Sequence, residues 1–117
     1  LEKARVVIFA AGTGNPYFTT DTAATLRASE MACEAIFKGT QVDGVYDSDP
    51  HQNPDAKRFD SLTLQEAVER PDIKVMDKAA IALAADHGQP IVVLELLKEG
   101  NIARAIAGEP VGTTISQ

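Results

Sequence analysis

The sequence predicts an α/β fold, a mainly parallel sheet sandwiched between helices, on three observations. Apolar residues run continuously over 5–11 and 90–94 instead of alternating, as in strands covered on both faces. Alanine-rich helical patterns over 22–32 and 76–87 separate those runs. Strand-like and helix-like segments alternate along the chain, the order produced by parallel strands joined through crossover helices.

Each element has a local reason. Residues 5–11 (RVVIFAA) predict a fully buried strand. Thr20 or Asp21 is an N-cap, and Ala23, Ala24, Leu26, Ala28 and Met31 favour a helix to about Ala32. Residues 35–39 predict a second short strand, and 42–50, with Asp-Gly and Asp-Pro turn signals around Val45 and Tyr46, a hairpin or ordered loop. Residues 51–55 are polar and turn-rich. Thr63 caps a short helix over 64–69, with Glu66 at the capping-box position. The helix over 76–87 presents Ala79, Ala80, Leu83 and Ala84 as its apolar face and stops at Gly88. A third buried strand over 90–94, a helix over 101–107 and a terminal strand over 112–116 complete the series. Ligands of such sheets gather at the carboxyl ends of the strands.

Composition narrows the function. At 117 residues, with 44% hydrophobic and 24% charged side chains, the chain suits one globular domain. Its 11 basic and 17 acidic residues give a net charge of −6 without any Lys/Arg block, which argues against a nucleic-acid groove. An acidic chain that binds phosphate does so locally, through N–H groups, a few cations and a metal ion. One cysteine, Cys33, forms no disulfide within the chain and fits a reducing compartment, so a cytoplasmic location is expected. It reads as a small apolar residue at an element end. No apolar run approaches the ~20 residues of a membrane span, and no signal peptide is visible. The chain opens on Leu1-Glu2-Lys3 and enters an apolar run almost at once, which reads as the interior of a larger protein.

The richest chemistry lies in residues 12–21, GTGNPYFTTD. Glycines between a strand and a helix offer free N–H groups and the positive end of a helix dipole, a combination that holds anions, phosphate above all. Thr13, Asn15, Thr19 and Thr20 add neutral donors; a plain strand-to-helix turn accounts for the glycines equally well. Lys38, beside Gly39 and Thr40, is either a point charge for a phosphate or a surface lysine at a strand end. Asp43, Asp47 and Asp49 either hold Mg²⁺ or a ribose, or simply make turns. Tyr46 between them stacks on a base or packs. Asp77 starts a helix, where its plain role is worth ~0.3–1 kcal/mol of dipole stabilisation. His51 and His87 lack metal-ligand spacing, and there is no Ser/His/carboxylate set, Walker A motif or GxGxxG fingerprint.

Taken in order, GTGNPYFTTD with its alanine-rich helix, KGTQVDGVYDSDP, KRFDSLT, KVMDKAA and GTTIS resemble bacterial uridylate (UMP) kinases over essentially the whole chain. The TGNPxFTTD loop separates that family from carbamate, acetylglutamate and aspartate kinases, which share its fold. The resemblance implies the amino-acid-kinase fold and transfer of a phosphoryl group from ATP to UMP with Mg²⁺, giving ADP and UDP for pyrimidine nucleotide synthesis. It also implies a homohexamer, typically activated by GTP and inhibited by UTP. By motif, Thr13, Gly14, Asn15, Pro16, Tyr17, Phe18, Thr19 and Thr20 line the UMP pocket. Thr40, Tyr46 and Asp49 contact ATP, with Tyr46 near the adenine; Lys38 and Asp21 lie near the transferred group; Asp77 helps organise a lysine and Mg²⁺. Gly39 and Gln41 depart from the family pattern, which often has Ala and then Lys or Asn.

The family chain is longer. Its amino-terminal half carries a Lys-x-Ser-Gly-Glu loop for the ATP phosphates and a Gly-Gly segment with a downstream Arg and Asp for UMP, and these 117 residues hold neither. Residues 1–117 are therefore expected to be the carboxyl-terminal half of a single domain, inactive alone and prone to self-association through open strand edges. The alternatives are a non-catalytic nucleotide-binding module and another enzyme of the same fold.

Overall fold

The computed structural model describes residues 6–10, 12, 20–48, 51–70, 76 and 78–116. Along the chain come α1 (Thr20–Glu30), β1 (Ile36–Thr40), β2 (Val45–Tyr46), β3 (Arg58–Phe59), β4 (Ser61–Thr63), α2 (Leu64–Glu69), α3 (Lys78–His87), β5 (Ile91–Glu95), α4 (Asn101–Ile106) and β6 (Thr113–Ser116). One sheet has the spatial order β1-β5-β6-β4. β1 runs parallel to β5 and β4 parallel to β6, while β5 and β6 pair antiparallel. The sheet is thus mixed but mainly parallel, flanked by helices as the alternating pattern predicts. β2 and β3 form a separate antiparallel ribbon.

The apolar run 91–94 becomes the inner strand β5 because Ile91, Val93 and Leu94 are all buried. Ile91 and Val93 join Ile36 of β1, Ile115 of β6 and Ile81 of α3 to make the core that carries the rest. α3 packs against both α1 and α2. Helix ends follow their local chemistry. The Glu66 amide donates to Thr63 Oγ1 (3.0 Å) and the Thr63 amide to Glu66 Oε2 (3.5 Å), the capping box expected for α2. α3 stops at Gly88, whose φ of 64° lets the Gln89 amide reach back to the Ala84 carbonyl at 2.9 Å. α1 ends in the same way without a glycine: Ala32 takes φ 54°, and the Cys33 amide donates to the Ala28 carbonyl at 2.9 Å.

Several expectations are corrected. Residues 6–10 form no strand; Val6 is 92% and Ile8 88% exposed. An apolar run becomes a strand only when another strand meets its hydrogen-bonding groups, and no described strand pairs with it. Thr20 is the first residue of α1 and not its cap. Ala79 faces solvent, and Ile81 takes its place on the buried stripe with Ala80 and Ala84. Cys33 is exposed in the turn after α1. β3 and β4 have no counterpart in the sequence reading. Among the described residues no helix is long and apolar enough to cross a membrane.

Candidate functional site

The middle of β1 and the start of α1 meet through an ion pair. Lys38 Nζ donates to Asp21 Oδ1 at 2.6 Å, and the two side chains are only 29% and 19% exposed. Lys38 lies on the same face of β1 as buried Ile36, which draws its stem inward. Asp21 lies in the first turn of the 11-residue α1, where the helix dipole favours a negative charge. A charge-assisted bond in partial burial is stronger than an exposed one, because less water competes for either charge. The pair is a stored cation beside a helix N-terminus, an arrangement suited to receiving an anion.

The loop predicted to hold the acceptor lies between Gly12 and Thr20. Gly12 has φ 67°, a conformation glycine adopts readily, and a Cβ added there would lie 3.7 Å from Thr20 Cγ2. The two residues that bracket the loop are therefore near neighbours. Thr13, Gly14, Asn15, Pro16, Tyr17, Phe18 and Thr19 lie outside the described residues, as do Asp49 and Asp77. A cavity of about 440 Å³ reaches Gly12 and Thr20 and is otherwise mainly apolar, walled by Val7, Phe9, Ala23 and Ala24.

Thr40 ends β1, and its carbonyl accepts the Leu96 amide at 2.8 Å, which ties the exits of β1 and β5 together. Beyond Thr40 the chain enters β2, which carries Tyr46. The short β2–β3 ribbon is fixed to the sheet by Thr113, a fully buried residue of β6. Thr113 Oγ1 accepts the Val45 amide at 2.9 Å and donates to the Phe59 carbonyl, so one hydroxyl holds both strands. Asp47, a candidate ligand residue, serves the turn: its carboxylate accepts the Lys57 amide at 2.9 Å and its own amide donates to the Lys57 carbonyl at 3.0 Å. Asp43 accepts the Tyr46 hydroxyl at 2.5 Å and Arg58 Nη1 at 3.1 Å. The Tyr46 bond, aided by Arg58, holds the Asp43 carboxyl below its ordinary value, and the same bond pushes the Tyr46 phenol above its own.

The structure therefore joins Lys38 to Asp21, sets Thr40 at the end of the same strand, and sets Tyr46 in the segment that follows it. Sequence reasoning missed Arg58 and Thr113 as the braces of the Tyr46 ribbon, and took Asp43 as ligand or turn. The signal was present in part, since Asp43 and Tyr46 stand three residues apart across an Asp-Gly step. Among the described residues no cluster of three His, Cys, Asp or Glu side chains could hold a metal ion. Mg²⁺ needs no such cage: one or two carboxylates suffice when phosphates and water complete the octahedron, and Asp21 fits that requirement.

The chain matches known proteins on both sequence and shape. Residues 1–95 match the model of the amino acid kinase family. The structure is similar to that of UMP kinase from Bacillus anthracis (42% identity, TM-score 0.85, covering 90% of this chain and 43% of that one). It is similar to UMP kinase from Ureaplasma parvum (40%, TM-score 0.89, 99% and 49%) and to uridylate kinase from Archaeoglobus fulgidus (34%, TM-score 0.76, 90% and 50%). The chain spans about half the length of these proteins or less.

Proposed function

The chain belongs to the amino acid kinase family, and from that premise we propose that it contributes to phosphoryl transfer from Mg-ATP to UMP. The observation that carries this reading is the Lys38–Asp21 pair at the N-terminus of α1, where Asp21 is the last residue of the GTGNPYFTTD segment. The kinship to UMP kinases at 34–42% identity supports the choice of acceptor.

Phosphoryl transfer needs in-line positioning and charge neutralisation more than covalent chemistry from the protein. Lys38 is the cation for charge that develops on the transferred group, and Asp21 keeps its ammonium oriented until phosphate competes for it. The loop Thr13, Gly14, Asn15, Pro16, Tyr17, Phe18, Thr19 and Thr20 receives UMP. Thr40, Tyr46 and Asp49 receive ATP, the ring of Tyr46 facing the adenine. Mg²⁺, held by phosphate oxygens with Asp21 and organised through Asp77, would offset charge on the phosphates. Since the chain spans about half of its relatives, the other half of the donor site belongs to the part outside it. A homohexamer regulated by GTP and UTP, acting in the cytoplasm, follows the same kinship.

An acceptor panel tests the reading on the full protein, with UMP, CMP, carbamate, aspartate and N-acetylglutamate each offered with Mg-ATP. UMP is expected to give the highest kcat/KM. Preference for a carboxylate or carbamate acceptor would replace this reading with another kinase of the same family.

A further inference from the structure

We propose that Asp43 is a positioning residue for the phosphoryl donor: its carboxylate ties Tyr46 to Arg58 and so presets the tyrosine ring as a stacking face for a purine base. The inference rests on the reading of Tyr46 as the donor-base residue and adds a residue to which that reading gives no role.

Tyr46 and Arg58 are cross-strand partners in the β2–β3 ribbon. Asp43 precedes the ribbon and reaches both, with Oδ1 on the Tyr46 hydroxyl (2.5 Å) and Oδ2 on Arg58 Nη1 (3.1 Å). A two-stranded ribbon with two residues per strand is marginal by itself. Here it is closed on one side by the Asp43 carboxylate and on the other by the buried Thr113 hydroxyl. Gly44, between Asp43 and β2, is required for that closure. A Cβ there would stand 2.7 Å from Thr113 Oγ1 and 2.9 Å from Arg58 Cδ. Arg58 also approaches Asp60 at 3.9 Å. Across the neighbouring polar cavity stand Glu95, Lys98, Arg104 and Glu109, so charges of both signs surround Asp43.

Two consequences follow. The phenolic hydrogen is committed to Asp43, so Tyr46 offers a ligand its ring face and its oxygen lone pairs but no donor. A base held by a ring face is recognised with little dependence on its hydrogen-bonding edge. A ring already fixed at its hydroxyl also loses less rotamer freedom when a base stacks on it.

The test uses the full protein with Mg-ATP and UMP. Asp43→Ala and Tyr46→Phe break the same bond from opposite sides and are each expected to raise KM for ATP about three- to tenfold, by more than kcat falls. The double variant is expected to be no worse than Asp43→Ala alone, because Tyr46→Phe removes a bond that Asp43→Ala has already broken. Tyr46→Ala removes the stacking face and is expected to raise KM for ATP about tenfold or more. Absorbance titration, taken as the difference from Tyr46→Phe, isolates the Tyr46 phenol; its midpoint is expected above 10.0 and should fall in Asp43→Ala. If Tyr46→Ala leaves KM for ATP unchanged, the donor-base reading fails and the inference fails with it. If Tyr46→Ala raises it while Asp43→Ala and Tyr46→Phe do not, the reading stands and the inference is overturned. An unmoved titration midpoint in Asp43→Ala also overturns the inference, since the bond would then have no effect on the phenol.

Discussion

Ala32 takes a conformation that most side chains avoid. Its φ of 54° closes the end of α1, and its Cβ crowds the backbone there. Glycine adopts the same angle freely, so Ala32→Gly is expected to stabilise the chain by about 0.5–1 kcal/mol in urea denaturation, less the extra entropy glycine gives the unfolded state. Asp43 carries a second prediction. Its folded pKa is depressed, so its contribution to stability is complete above the ordinary value of 3.8 and is lost as pH falls through the lower folded value. Tyr46, whose folded pKa is raised, contributes fully below its ordinary 10.0 and loses that contribution as pH rises through the higher folded value. The tie between them is therefore whole at neutral pH. Unfolding midpoints measured against pH should decline less steeply at the acid end in Asp43→Asn than in the parent chain.

At the scale of elements, the entry to β6 has room for glycine alone. Gly112 has φ 65°, and a Cβ would fall 1.8 Å from the Val93 carbonyl oxygen, a backbone atom with no freedom to move aside. Gly112→Ala is expected to disturb the β5–β6 pairing and with it Thr113, the anchor of the Tyr46 ribbon. Far-UV circular dichroism and soluble yield should both fall, whereas Gly108→Ala, which meets no heavy atom within 4 Å, serves as the comparison at another positive-φ glycine (φ 86°).

Elements with chemical punctuation were legible in the sequence. Thr63 and Glu66 announce α2, Gly88 ends α3, and the apolar 91–94 run announces β5. β3 and β4 were not legible, because strands of two and three residues show no period. The 5–11 run misled because burial belongs to a partner strand as much as to the run itself. Within the site, Lys38 and Asp21 were drawn together through motif resemblance, since composition does not reveal a contact across 17 residues. The braces Arg58 and Thr113 lie 12 and 67 positions from Tyr46, and no local pattern links such residues.

For the whole molecule, β1 and β4 are the two edges of the sheet among the described residues. β1 is an edge strand with Phe37 exposed, and Val6, Ile8 and Phe9 are exposed as well. Apolar surface beside unpaired strand groups favours association. The isolated chain is expected to self-associate, and Val6→Lys with Ile8→Lys to reduce the association. A monodisperse monomer for the parent chain in light scattering would contradict this. The net charge of −6 has a further consequence at this scale: on the proposed function, phosphate is bound against the overall field, by local cations. Lys38 is the cation on which that account turns.

The most direct measurement is therefore kcat for UMP phosphorylation by the full protein and its Lys38→Ala variant, with circular dichroism to verify that both are folded. Loss of one cation aimed at the developing charge predicts a fall of about 10²–10³-fold. A folded variant with unchanged kcat would contradict the assignment of Lys38, and with it the proposed role of the Lys38–Asp21 pair.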